Sequence, residues 1–142
     1  MAFFKNYSKK SKLKLGREYL FIVEDADFSA DGSKVQIVFW IKDEKTGFKE
    51  LILQEFDPQS DEFDELLRSG IYPGEADNII KVNFADFYGV CGRCKITRVD
   101  GRSCIVTSSI EPDTGALSAM DSVYYENKMY PWQKSKSNKD RN

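Results

Sequence analysis

The residue types that most often do chemistry in proteins are scarce in this chain. It contains no histidine, which removes the commonest general base, the commonest metal ligand and every Ser-His or Cys-His nucleophile pair. It also has no Walker loop, G-x-S-x-G elbow or dinucleotide fingerprint. Acids such as Asp25, Asp27, Asp86 and Glu111 could bind magnesium in a nuclease, but their spacing does not require it. We therefore expect a protein that is not an enzyme and uses no cofactor.

Two short motifs have spacings that resemble metal sites. Cys91-x-x-Cys94 could be half of a zinc site, but such a site needs four ligands and only Cys104 remains. Side-chain alternation along a strand would also point Cys91 and Cys94 to opposite faces. The stretch from Asp27 to Gly32 resembles the start of a calcium loop, but the twelfth position is Val38 rather than a bidentate glutamate. We expect packing roles for the cysteines and no bound metal.

The stretch best suited to binding a ligand runs from Ser33 to Asp43. It is rich in β-branched and aromatic residues and predicts a strand. One face would be wholly apolar and point into a core, with Val35, Ile37, Phe39 and Ile41. The other face places Val38 and Trp40 between Lys34 and Lys42. Such a surface can stack bases while its cations hold phosphates. The alternative is that Trp40 is covered by a loop or lies in a second small core.

Charge is unevenly distributed, although the net charge is only −2. Residues 1–17 carry six basic side chains and no acidic one, and residues 124–142 carry five basic and two acidic. Residues 18–123 carry ten basic and twenty-one acidic side chains. Basic arms often contact nucleic acid or another polyanion, and solubilising tails are the alternative. The phosphate contacts expected from the N-terminal arm are Lys5, Lys9, Lys10, Lys12 and Lys14.

Composition also bears on the compartment. The three cysteines are an odd number, which argues against a disulfide framework and for a reducing environment. No run of about 18 apolar residues is present, so no membrane span is expected, and the start of the chain lacks the apolar region of a secretory signal. We expect a cytoplasmic protein with no membrane partner.

The order of the predicted elements indicates a mainly β fold. Three hairpin-linked strands are followed by a helix with Ser60 as its N-cap and Gly70 at its end, and then by two more hairpin-linked strands. The predicted strands cover residues 17–26, 33–43, 48–56, 88–99 and 102–110, and residues 78–84 are interpreted as a short strand or a covering segment. This is the order of the OB-fold, a five-stranded barrel with one helix between strands 3 and 4 that binds single strands on strands 2 and 3.

The fourth strand adds two expectations. Tyr88, Val90, Cys94 and Ile96 would form its apolar face, with Arg93, Lys95 and Thr97 on a polar, positive face. Gly89 and Gly92 within this strand indicate tight curvature or a bulge.

Three regions follow from this organisation. Residues 1–16 form a basic N-terminal arm, residues 17–112 form the OB-fold-like domain, and residues 113–142 form a tail. The tail is first aromatic, from Tyr124 to Trp132, and then basic. Both termini are expected to be flexible.

Three segments together resemble the small single-stranded-DNA-binding proteins of bacteriophages and mobile elements of Gram-positive bacteria. They are residues 15–19 (LGREY), residues 35–39 (VQIVF), and residues 89–96 (GVCGRCKI) closed by Asp100-Gly101-Arg102. The resemblance covers residues 15–110. It implies a protein of the host-cell cytoplasm that coats single-stranded DNA during phage replication or recombination, as a homodimer, with replication or recombination proteins as partners. Such proteins often end in an acidic tail that recruits partners, whereas this chain ends in a basic one.

The sequence therefore predicts single-stranded DNA binding with little sequence specificity. Trp40 would stack a base, and the expected backbone contacts are Lys34, Lys42, Lys49, Arg93 and Lys95, helped by Lys9, Lys10 and Lys12. The alternative is a protein-interaction or assembly module, such as a phage structural component, that uses the aromatic segment from Tyr124 to Trp132. The acidic body of the chain favours this second reading.

Overall fold

The computed structural model describes residues 11–73, 81–113 and 115. Within these ranges the chain forms one open sheet of six antiparallel strands: β1 (Glu18–Phe28), β2 (Val35–Lys42), β3 (Lys49–Phe56), β4 (Cys91–Val99), β5 (Arg102–Ile105) and β6 (Glu111–Pro112). Between β3 and β4 lie a helix α1 (Asp61–Leu66), a π-helical turn (Leu67–Ile71) and a 3₁₀ turn (Phe84–Asp86). A second 3₁₀ turn (Thr107–Ser109) separates β5 from β6. The predicted mainly β class and a helix between strands 3 and 4 are confirmed within these ranges, with six strands where five were predicted.

The strands are ordered β3-β2-β1-β4-β5, and β6 pairs with β4. The predicted five-stranded OB-fold-like barrel is not confirmed, because β3 and β5 end this order and the described residues show no backbone ladder between them. A side chain bridges these two strands instead. The Gln54 amide donates to the Ile105 carbonyl (3.4 Å) and accepts from the Ile105 N–H (2.8 Å). Gln54 is 3% exposed, so its amide takes the place of a peptide group at a buried seam.

The alternation predicted for β2 is confirmed. Its apolar face is completely buried, and the residues of its other face are half-buried. In β1 the pairing with β2 shifts between Val23 and Asp25, so Glu24 is a bulge that changes which residues face inward. Phe21 packs edge-on against Phe39, with ring centroids 6.1 Å apart. Phe21 and Phe39 therefore lie on the same buried face of the sheet, and Leu20 and Ile22 on the other face of β1 also belong to the core cluster.

For the last two predicted strands, the start of the fourth and the end of the fifth were wrong, while the end at Val99 and the start at Arg102 are confirmed. β4 begins at Cys91 rather than Tyr88, because Gly89 has a positive φ of 79° that interrupts the extended chain. Tyr88 consequently lies outside the strand and is 44% exposed, rather than part of an apolar face. β5 ends at Ile105 rather than Ile110, because the 3₁₀ turn follows and pairing resumes only at β6. No regular structure is found at residues 81–83, and residues 78–80 lie outside the described ranges.

Gly92 has a role that follows from close approach. A Cβ at this position would lie 2.2 Å from the Glu111 carbonyl oxygen, well inside any real contact. Only glycine allows β6 to pair here with β4. The register with β1 is regular through Gly92, so the bulge predicted at this position is not found, and the glycine is needed for the close approach of β6 instead.

Aromatic side chains cover the core at the end of the sheet where β3 ends. The Ser60 side chain accepts a hydrogen bond from the Phe63 N–H (3.1 Å), which confirms the predicted N-cap of α1. The Phe63 ring lies 5.8 Å from that of Phe56 and stacks on Phe87 at 6.3 Å. We call this the helix end.

The opposite end, where β3 begins, is closed by residues 11–14, which we call the strap. The Ser11 hydroxyl donates to Glu50 (2.6 Å), and the Arg98 guanidinium donates to the carbonyls of Ser11 and Leu13. Leu13 is 2% exposed, and the Lys14 N–H donates to the Tyr19 hydroxyl at 2.8 Å. One apolar side chain and several hydrogen bonds therefore cover this end.

Candidate nucleic-acid interface

The outward face of β2 and β3 carries three cross-strand rows, which we call the outer patch: Lys42 with Lys49, Trp40 with Leu51, and Val38 with Leu53. Residues directly opposite each other in antiparallel strands point to the same side of the sheet. The register therefore places an apolar surface containing one aromatic ring beside a pair of lysines. Gln36 and Glu55 form the next row and bound the patch at its other end.

Trp40 is half-buried and packs against the core cluster. Its neighbour on β1 is Ile22, which is 1% exposed, as is Leu20 in the next row. Trp40 therefore lies beside two buried residues of β1, while part of its own side chain remains exposed. The two interpretations of Trp40 were base stacking and burial in a core. The structure has features of both, since the ring packs against the core and part of it stays accessible for stacking.

Two lysines face each other at the end of the outer patch where β3 begins. Like charges directly opposite each other in a sheet are unfavourable, so a ligand with negative charge is better suited to this end than to the end with Glu55. Lys95 is also exposed and lies on β4 opposite Glu18. Lys34, just before β2, pairs with Asp57 at 3.8 Å, at the opposite end of the strand. The predicted lysines thus do not form one continuous track.

Arg93 lies among three carboxylates. Its guanidinium hydrogen-bonds to Glu44 and lies 3.6 Å from Glu18 and 3.5 Å from Asp113. The hydrogen bond to Glu44, with further contributions from the nearby acids, raises the pKa of Arg93, and Arg93 in turn lowers the pKa of Glu44. In this arrangement Arg93 neutralises protein carboxylates, and a phosphate would have to compete with them.

A second arginine fixes the same turn between β2 and β3. Arg17 pairs with Asp43 at 2.8 Å, and the Asp43 carboxylate also accepts from the Lys45 N–H (2.9 Å). Burial opposes ionisation of Asp43, but these donors outweigh it and lower its pKa. The turn that joins the two patch strands is therefore held by Arg17 through Asp43 and by Arg93 through Glu44.

A groove of about 630 Å³ lies between β3 and the β4–β5 hairpin. Leu53, Val99, Cys104 and Val106 contribute apolar surface, and the charged lining residues are Glu55, Glu62, Asp100 and Arg102. Three carboxylates against one guanidinium make this groove unfavourable for a phosphate backbone.

The three cysteines are free thiols. Register places Cys94 opposite Tyr19 and Cys91 opposite Ile22, so they face opposite sides of the sheet as the alternation predicts. Burial raises the pKa of the Cys94 thiol and, to a smaller extent, that of Cys104. Buried, protonated thiols are poor nucleophiles. Within residues 11–73, 81–113 and 115, no group of three or more potential metal ligands is found.

Sequence reasoning missed part of this surface. Leu51 and Leu53 complete the outer patch, but the pairing register that brings them opposite Trp40 and Val38 is set by the β2–β3 turn and is not visible in either strand alone. Of the predicted arm lysines, Lys12 is exposed on the strap, whereas Lys9 and Lys10 lie outside the described residues. The aromatic segment from Tyr124 to Trp132 also lies outside them.

Comparisons of the chain with protein-family models, with curated proteins and with solved structures find no match. In the part of the chain that the structure describes, none of the helices has the length and apolar character needed to cross a bilayer.

Proposed function

We propose that this protein binds single-stranded DNA with little sequence specificity on the outer patch. The observation that carries the proposal is the juxtaposition of Trp40 and Leu51 with the facing lysines Lys42 and Lys49. Aromatic side chains stack on bases of any sequence, and cations follow the phosphate backbone. The resemblance to phage single-stranded-DNA-binding proteins adds the setting, which is phage DNA replication or recombination in the host cytoplasm.

The strand order supports an OB-fold as the framework. The OB-fold is a five-stranded, partly open Greek-key barrel that binds oligonucleotides on strands 2 and 3. Here the three-strand meander, the helix after β3, and the edge strands β3 and β5 bridged by Gln54 are all compatible with such a barrel. The outer patch would then lie on the strands that this fold uses for single strands.

The individual roles follow from position and charge. Trp40 stacks a base, and Leu51 supports the adjoining base. Lys42 and Lys49 contact phosphates, and Lys95 extends the contact across β4. Arg93 holds the β2–β3 turn through Glu44 rather than contacting the backbone. Lys34 lies beside Asp57 at 3.8 Å, so a phosphate would have to compete with that carboxylate for its ammonium group.

The proposal is tested by fluorescence titration with an oligo-thymidine strand. A Trp132→Phe background leaves Trp40 as the only tryptophan. Quenching should occur at low salt and weaken as salt rises, because phosphate neutralisation releases counterions. Replacing Trp40 with alanine should weaken binding by about 1–3 kcal/mol in a labelled-strand assay.

The matched control for this substitution is Leu15→Ala, which removes an exposed apolar side chain before β1 and should leave affinity unchanged. If the parent protein does not bind at low salt, the proposed function is wrong. If the parent binds and the Trp40→Ala variant binds equally well, the DNA lies on another face.

A second candidate function is protein interaction, and the groove between β3 and the β4–β5 hairpin favours it. Its apolar lining and excess of carboxylates fit an apolar peptide with basic residues better than a nucleic acid. Truncation after Ala119 leaves the groove lining intact and tests the other location for this function, the tail. Loss of self-association or of a partner with DNA binding intact would assign the assembly role to the segment containing Tyr124–Trp132.

A further inference from the structure

We propose that the strap is a second phosphate-binding edge for the same strand, and that Glu50 and Arg98 are the residues that position it. This inference rests on the proposed function and deepens it, because it adds a defined contact away from the outer patch. It also assigns a role to residues 11–14 of the basic N-terminal arm, which Glu50 and Arg98 hold in place.

Both oxygens of the Glu50 carboxylate are used by the strap. One accepts from the Ser11 hydroxyl (2.6 Å), and the other accepts from the Lys12 N–H (3.1 Å). Across the opening, Arg98 donates to two strap carbonyls. One acid on β3 and one base on β4 thus hold the strap backbone from two sides, which explains how so short a segment is fixed.

The fixed backbone determines which strap side chains face solvent. Leu13 points inward and is 2% exposed, whereas Lys12 and Lys14 on either side of it are exposed. Two ammonium groups are therefore presented outward from an ordered backbone. Lysines on an ordered backbone bind a polyanion with a smaller loss of conformational entropy than lysines on a free arm.

The strap also begins close to the cationic end of the outer patch. Glu50 directly follows Lys49, which faces Lys42 in the patch. Because successive side chains of a strand point to opposite faces, the strap and the patch share this strand end but not one face. A strand that stacks on Trp40 can continue past Lys49 toward the strap without meeting the acidic end at Glu55.

The deciding experiment replaces Glu50 with alanine, because two explanations predict opposite changes in the affinity for single-stranded DNA. If only net charge mattered, removal of an acid would strengthen binding of a polyanion. If Glu50 positions the lysines, release of the strap should weaken oligo-thymidine binding about three- to tenfold. Glu55→Ala removes the same charge from the same strand without affecting the strap, and it should bind as tightly as the parent or more tightly.

A second variant keeps the test valid even if Glu50→Ala disturbs the fold. Lys12→Gln/Lys14→Gln changes only exposed side chains. A plot of log affinity against log salt has a negative slope, and in this variant the slope should be less steep by about 1.4. Each phosphate contact contributes about 0.7 to the steepness for single strands. Adding Glu50→Ala to this pair should reduce the affinity little further. Release of the strap and loss of its two lysine charges remove the same phosphate contacts.

The outcomes separate this inference from the proposed function. Weaker binding by Glu50→Ala, with a reduced salt slope and non-additivity with the lysine pair, supports the strap as a binding edge. If the parent binds but Glu50→Ala binds equally or more tightly, or if the lysine pair leaves the salt slope unchanged, the inference is wrong and the outer patch alone carries the DNA. If the parent does not bind, both proposals are overturned.

Discussion

The two ends of the sheet are closed by different kinds of interaction. At the helix end, Phe56, Phe63 and Phe87 fill the opening with stacked and tilted rings. At the strap end, Leu13 is the buried apolar side chain of a segment otherwise held by hydrogen bonds to Glu50 and Arg98. Apolar burial provides most of the favourable free energy of folding, whereas hydrogen bonds mainly fix geometry at modest net gain. The helix end should therefore determine stability, and the strap end should determine where its lysines lie.

The largest expected effect is at the helix end. Replacing Phe63, which is 5% exposed, with alanine should lower the free energy of unfolding by about 3–5 kcal/mol, because it removes a large ring and leaves a cavity. Replacing Leu13 with alanine should cost about 2 kcal/mol, at the low end for a buried leucine, since a short strap can detach without unfolding the sheet. Urea unfolding followed by circular dichroism measures both.

The same pair of variants should be ordered differently by DNA affinity. Leu13→Ala should weaken oligo-thymidine binding because the strap is released, whereas the folded fraction of Phe63→Ala should bind like the parent. A Leu13→Ala variant that is less stable than Phe63→Ala, or that binds with the affinity of the parent, would remove the distinction between the two ends.

The seam between β3 and β5 should give an intermediate effect. In Gln54→Ala, the Ile105 N–H and carbonyl lose their side-chain partners at a buried position, which should cost about 1–3 kcal/mol. The control is Gln36→Ala, on the half-buried outer face of β2, for which a change below about 0.5 kcal/mol is expected. Equal losses of unfolding free energy for the two variants would show that the amide bridge does not hold the edge strands together.

Most elements of the fold could be predicted because their signals are local. The alternation in β2, the cap at Ser60 and the hairpin turns all depend on residues close in sequence. The first residue of β4 could not be predicted in this way, because the left-handed conformation of Gly89 ends the extended pattern that the side chains alone suggest.

The candidate site was only partly predictable for a related reason. Trp40, Lys42 and Lys49 were predicted from the sequence, but the pairing register determines that Lys49 lies opposite Lys42 and that Leu51 lies opposite Trp40. The use of Glu50 by the strap joins residues 39 positions apart, and neither residue type marks such a contact. For Arg93 the sequence predicted a contact with the phosphate backbone. The structure instead places three carboxylates around its guanidinium group.

The smallest expected effect is a pH dependence confined to the helix end. Tyr72 lies after the π-helical turn, and its hydroxyl donates to Asp86 (2.8 Å) and accepts from the Asn83 N–H (3.1 Å). Burial, with a contribution from Asp86, raises the pKa of Tyr72 to about 12 from its ordinary value of 10.0. Between these two pH values the unfolded chain has lost this proton and the folded chain retains it. The stability that Tyr72 contributes is therefore complete below pH 10 and is lost as pH rises toward 12.

Urea unfolding at several pH values from 7 to 11 measures this effect in the parent and in Tyr72→Phe. The variant should be less stable than the parent by about 1 kcal/mol at pH 7, because it loses two hydrogen bonds, and the difference should shrink above pH 10. Leu13→Ala serves as the comparison from the strap end and should show the same alkaline loss as the parent, because its Tyr72 is unchanged. A gap between the parent and Tyr72→Phe that stays constant to pH 11 would show that the tyrosine ionises equally readily in the folded and unfolded chain. Any loss of unfolding free energy above pH 10 would then come from groups outside the helix end.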